Sequence, residues 1–204
     1  NHGLGIFSVS ITSCIFLDNK FGDCRNSQAN LEKHILENMK QGDIVAISNR
    51  YHTNSDRKSP ELIDYSWMKS QRSIKEINNF ANKVSAKGGH TILFMPTPEF
   101  EVPVEMCRPV WFKPFKDSNC SKPLSQVKEE VSTLGALLKS HLDNKIYVYD
   151  PTNAICKNKT CSVLDHENKP LYVDKDYISD YANSKYIYPD FTSFLIKKGL
   201  LGTR

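Results

Sequence analysis

The segment GGHTILFMP, residues 88–96, decides the fold. Thr91, Ile92, Leu93, Phe94 and Met95 stand in a row between a glycine pair and a proline. The run is too short for a helix and lacks the polar alternation of a strand with one wet face. It has the form of a strand buried on both sides. Gly88 and Gly89 end the preceding segment, which reads as a helix from about Ser66 to Ala86, and Pro96 ends the strand. A helix running into a doubly buried strand is one unit of a parallel α/β sheet.

The same grammar repeats on either side. GIFSVSIT (5–12) reads as a strand, and NSQANLEKHILENMK (26–40) as a helix with Leu31, Ile35, Leu36 and Met39 on one face and Asn26 or Ser27 as its cap. GDIVAISNRYH (42–52) is a second buried strand, SQVKEEVSTLGALLKSHL (125–142) an amphipathic helix, and KIYVYDP (145–151) a further strand. The stretch from Cys156 to Val173 reads as a small hairpin with its turn near Glu167-Asn168-Lys169-Pro170, and a final helix covers about Pro189 to Lys198. Residues 96–123 form a long connection with two cysteines, functional or stapled. The fold class is therefore α/β: a three-layer α/β/α sandwich with a mainly parallel sheet. Ligands of such sheets bind beyond the carboxyl ends of the strands. The positions there are Ser13 and Cys14, Ser48 to His52, Met95 to Glu99, and Asp150 to Asn153, with Asp174 on a loop that reaches the same edge.

Composition sets the outer limits. The 204 residues, 39% hydrophobic and 25% charged, suffice for one globular domain over residues 1–204. A net charge of +4, with basic and acidic residues interleaved, argues against a dedicated nucleic-acid binder. The apolar segment Gly3 to Leu17 is shorter than the roughly 18 residues of a membrane helix and reads as a strand. It lacks the basic start and cleavage site of a signal peptide, so a targeting element would lie outside this chain. The six cysteines fall in neighbouring couples, Cys14 with Cys24, Cys107 with Cys120 and Cys156 with Cys161. Local disulfides are the economical reading of that spacing, with buried free thiols the alternative. Disulfides would imply an oxidising compartment, periplasmic or extracellular. The spacings do not match a zinc site, so no metal and no cofactor is expected.

Nucleophile motifs are missing: the chain has no GxSxG, P-loop or HExxH, and Gly3-x-Gly5 precedes a strand instead of following one. Among the six histidines, His34 and His141 lie on helices, His90 opens a strand, and His2 and His166 belong to exposed ends and turns. Only His52, just past a strand end, is placed for chemistry.

The order of strand ends and cysteine couples resembles the SGNH-hydrolase-like domain fused to the C-terminus of acyltransferase 3 family membrane proteins. The matching blocks are SVSITSC with a second cysteine ten residues on, GDIVAISNRY, ILFMPTPEFEVPVEMC, IYVYDPTNAICKNKTC, and finally LYVDKDYIS, where the family reads Tyr-x-Asp-x-x-His-Leu-Ser. The resemblance implies a flavodoxin-like topology and the O-acylation of a cell-surface glycan, such as a polysaccharide or lipopolysaccharide. It also implies a membrane location reached through a region outside this chain. The partners so implied are the glycan and the acyl-donor membrane domain of the same polypeptide, without nucleic acid or metal.

Two departures bear on activity. The family's Gly-Asp-Ser block, which supplies the nucleophile, has no counterpart in residues 1–204; the resemblance places it upstream of Asn1, or else the nucleophile is missing. The family's catalytic His corresponds to Tyr177, and a phenol does not accept a serine's proton at neutral pH as an imidazole does. Asp174 then has no imidazole to orient. Asn49 stands where related hydrolases place an oxyanion donor, or it only caps a strand-end turn. Arg50 and His52 are candidates for holding the glycan, with a structural salt bridge an equal reading for Arg50. The expected function is an extracytoplasmic O-acyltransferase domain, with a catalytically inactive glycan-binding or scaffolding module as the alternative.

Overall fold

A computed structural model describes residues 22–48, 72–108 and 118–202. Its strands are β1 (Ile44–Ile47), β2 (His90–Phe94), β3 (Ser121–Pro123), β4 (Ile146–Tyr149) and β5 (Thr160–Ser162). The helices are α1 (Gly22–Asn38), α2 (Arg72–Ala86), α3 (Leu124–Glu130), α4 (Ser132–His141), α5 (Thr152–Ile155), α6 (Asp180–Ala182) and α7 (Tyr188–Lys197). A π-helical turn, Asn183–Ile187, joins α6 to α7.

The central sheet is parallel, in the order β1-β2-β4, with Ala46, Ile92 and Tyr147 in register across it. Neighbours that follow chain order match the 3-4-5 part of the flavodoxin-like order 2-1-3-4-5. Side chains alternate between two cores, as a strand's two-residue period requires. Ile44, Ile92, Phe94, Tyr147 and Tyr149 face one core, which contains Phe191, Phe194 and Leu195 of α7. Val45, Ile47, Leu93 and Ile146 face the other, with Ile77, Phe80 and Val84 of α2 and Leu134 and Leu138 of α4. Helices thus cover both faces, and the sandwich has three layers.

The Gly88-Gly89 pair ends α2 for two different reasons. Gly88 has φ +76°, and the amides of Gly88 and Gly89 return to the carbonyls of Ser85 and Val84 at 2.9 and 3.0 Å. This is a Schellman closure, which needs a left-handed residue. Gly89 is constrained by space, because a Cβ there would overlap the Met39 methyl at the end of the α1 segment.

Four sequence expectations need correction, the first being the helix cap: α1 begins at Gly22, so Asn26 and Ser27 lie inside it and neither caps it. The helix over 125–142 is two helices, α3 and α4, meeting at Val131, where the Ser132 hydroxyl donates to the Glu129 carbonyl at 2.7 Å and bends the ladder. The final helical segment starts at Asp180 instead of Pro189, and Pro189 lies within it. Proline in a regular helix clashes with the carbonyl four residues earlier. The π turn relieves this: the Tyr188 amide returns to Asn183, five residues back. The fourth correction concerns residues 156–173. The hairpin is present but shorter, closed from Val163 to Leu171 by the Leu164–Pro170 bridge and the Asp165–Lys169 and Leu171–Val163 backbone bonds, while Thr160–Ser162 pairs antiparallel with Ser121–Pro123 of the long connection.

Two of the cysteine couples are disulfides, Cys107–Cys120 and Cys156–Cys161, with Cα separations of 5.6 and 4.2 Å. Each bridge is local, the first within the long connection and the second within the segment after β4, and the β3–β5 ladder is what joins those two segments. Cys14 lies outside the described residues, and of Cys24 only the backbone, in α1, is described. No helix among the described residues is long and apolar enough to cross a membrane.

Candidate functional site

The block LYVDKDYIS folds as a closed hairpin. Tyr172 and Ile178 form an antiparallel bridge, and the Val173 amide donates to the Tyr177 carbonyl at 2.8 Å. Asp174 closes the tip: its Oδ1 accepts the amides of Asp176 and Tyr177 at 3.0 and 2.8 Å. An Asp is suited to this because its short carboxylate reaches the backbone two and three residues on. On the exit side, the Ser179 hydroxyl donates to the Pro170 carbonyl at 2.7 Å and accepts the Ala182 amide at 3.1 Å. Ser179 therefore ends the hairpin and caps α6 with the same oxygen.

This hairpin docks against the segment that leaves the carboxyl end of β2. The Phe100 amide donates to the Lys175 carbonyl at 2.9 Å, and the Val104 amide to the Asp174 carbonyl at 3.2 Å. Beneath them the buried rings of Tyr172 and Phe100 meet edge to face, centroids 5.1 Å apart. The Asp174 loop is thus brought against Phe100 and Val104, which follow the Met95 to Glu99 segment in the chain. At the end of β4, Asp150 accepts the Thr152 amide at 2.9 Å and caps the chain locally. Asn49, Arg50 and His52 lie outside the described residues, directly after Ser48 at the carboxyl end of β1.

Burial works to raise the Asp174 pKa, but the amides of Tyr177 and Asp176 and the Asp176 carboxyl outweigh it and hold it below the usual range. Three residues on, Tyr177 carries a phenol that is 59% exposed. The Tyr172 hydroxyl is buried with no hydrogen-bond partner among the described residues, and burial followed by the nearby Glu99 charge pushes its pKa well up. His34, His141 and His166 are exposed, and half-buried His90 lies beside the Tyr147 ring at 6.4 Å. No group of three or more His, Cys, Asp or Glu among the described residues is arranged to hold a metal ion.

A second constellation escaped the sequence reading. Asp165, with a side chain only 4% exposed, accepts hydrogen bonds from the hydroxyls of Tyr181 and Tyr186 and from the amides of Glu167 and Lys169. Burial opposes its ionisation, but these donors win and keep the carboxyl far below the usual range. Tyr186 is pushed up to about 12, by burial and then by its bond to Asp165. Lys185 donates to the Tyr181 hydroxyl at 2.7 Å and approaches Asp165 at 3.8 Å. In a regular helix, residues five apart point about 140° away from each other. The π turn brings Tyr181 and Tyr186 to one face, ring centroids 6.1 Å apart. The signal in the sequence was the Tyr181-x-x-x-Lys185-Tyr186 spacing behind a Ser179-Asp180 helix start.

A family model described as the SGNH domain (fused to AT3 domains) matches residues 1–189 of the chain. No curated protein matches it.

Proposed function

This chain belongs to the family of SGNH domains fused to acyltransferase 3 (AT3) domains, and from that premise we propose that it is the extracytoplasmic domain of a membrane O-acyltransferase that passes an acyl group to a cell-surface glycan. The observation that carries the reading is the family match over residues 1–189. The two disulfides support an oxidising compartment. In this reading the membrane part delivers the acyl group, and the crevice at the carboxyl edge aligns it with a glycan hydroxyl. The glycan hydroxyl oxygen bonds to the acyl carbon, the bond from that carbon to the donor's leaving group breaks, and the hydroxyl's proton departs with the leaving group. Asp174 contributes the fixed anion, Asn49 a donor to the developing oxyanion, and Arg50 and His52 contacts to the sugar.

A second reading is favoured by one specific feature. Tyr177 replaces the base, and the Asp174 Oδ1 is already engaged by two backbone amides. A module that kept the fold and binds or scaffolds glycan without turnover fits both facts. Hydrolysis of p-nitrophenyl acetate by the full polypeptide and by its Tyr177→His variant separates the two. Turnover by the unmodified protein supports the catalytic domain; turnover gained only in Tyr177→His supports the module.

A further inference from the structure

Beside the Asp165 constellation lies a small cleft of about 170 Å³. Ile155, Leu171 and the Tyr186 ring form its apolar wall, and Thr160 and Ser162 contribute hydroxyls. The volume is below the roughly 300 Å³ at which pockets for whole small molecules begin, so it suits one unit of a longer chain. One lysine lines it, Lys157, whose ammonium stands over the Tyr186 ring at 5.8 Å; beside the same tyrosine pair, Lys169 stands over Tyr181 at 5.3 Å and Lys185 over both rings at 5.1 and 5.5 Å. A cation held over an aromatic face has lost part of its rotamer freedom already, so it binds an anion at lower entropic cost.

The negative charges nearby do not cancel this. Asp165, which lines the cleft together with His166, has its side chain only 4% exposed and both oxygens engaged by two phenols and two amides, and Glu167 is engaged by Lys169 at 3.0 Å and Lys185 at 3.4 Å. Lys157, on the cleft wall, has no carboxylate partner among the described residues; its contacts are the Asn153 carbonyl at 3.4 Å and the Tyr186 ring. One uncompensated ammonium, two hydroxyls and an apolar wall make a site for a sugar ring that carries an acid group.

We propose that this cleft binds an acidic sugar unit of the glycan chain, with Lys157 meeting its anionic group. The inference rests on the glycan-directed reading above and adds the charge class and the place. Leu171, on the cleft wall, is three residues from Asp174, a span of at most about 11 Å. Neighbouring units of one chain therefore reach both the cleft and the Asp174 loop.

The test is calorimetric titration of the protein with trigalacturonate and with neutral galactotriose, in the absence of any acyl donor. The acidic trisaccharide is expected to bind about tenfold more tightly than the neutral one, with an affinity that falls as salt rises. Lys157→Ala is expected to lower its affinity roughly fivefold, and Lys33→Ala, an exposed position on α1, to leave it unchanged. Equal affinity for the two sugars, no binding of either, or an unaltered affinity in Lys157→Ala overturns the proposal. Binding is read without turnover, so a failure of acyl transfer is seen separately from a failure of this site.

Discussion

Asp174 Oδ1 accepts the backbone amide of Tyr177 at 2.8 Å, so the carboxylate fixes the backbone three residues further along the loop. The loop's shape and the loop's charge can be separated by substitution. Asp174→Asn keeps an oxygen for both amides and is expected to cost less than about 1 kcal/mol, whereas Asp174→Ala loses both bonds and costs about 2–3 kcal/mol. The carboxyl's folded pKa lies below its ordinary value. Its contribution to stability is therefore present above about pH 4 and is lost as pH falls through the folded pKa. Urea midpoints should show the wild type losing its advantage over Asp174→Asn only under acid; parallel pH profiles would remove the carboxylate from this account.

The buried Tyr172 hydroxyl has no partner among the described residues, and its ring packs against Phe100 below the same loop. Removing an unsatisfied buried hydroxyl should be neutral or stabilising, so Tyr172→Phe is expected to gain up to about 1 kcal/mol in chemical denaturation. A loss larger than that would mean that the hydroxyl is satisfied in solution.

The two described disulfides close loops of different length, with sequence separations of 13 and 5. In the chain-entropy account, replacing Cys107 and Cys120 with Ser should cost about 3 kcal/mol and replacing Cys156 and Cys161 about 2 kcal/mol. Thermal unfolding of both double variants checks the order, and a larger loss from the shorter loop contradicts it.

Asp165 is held by four hydrogen bonds, two of them from phenols. Tyr186→Phe leaves the other three and is expected to cost about 1–2 kcal/mol. Both phenols share Asp165 Oδ2, so the costs of Tyr181→Phe and Tyr186→Phe should not add; a double-mutant cycle with zero coupling would show the two bonds to be independent.

The layers of the fold were legible because burial writes itself into period: Ile92 and Phe94 face one core and Leu93 the other, and a strand buried on both faces reads as an unbroken apolar run. The Gly88-Gly89 stop was legible because the residue that closes the helix, Gly88, needs a left-handed φ that glycine adopts without cost. Pro189 misled for the opposite reason. Proline commonly starts a helix, and nothing local announces that a π turn has made room for it inside one. The candidate edge was legible at Asp174 through the spacing of LYVDKDYIS. The Asp165 constellation was not, because its members lie 16 and 21 residues apart and meet only through the π turn.

The central claim, that this domain takes part in acyl transfer to a glycan, is tested most directly by following a labelled acyl group in membranes that contain the full polypeptide. Label is expected to appear on the cell-surface glycan with the intact protein and to fall to background when residues 1–204 are removed. Equal labelling of the glycan without those residues would contradict the account.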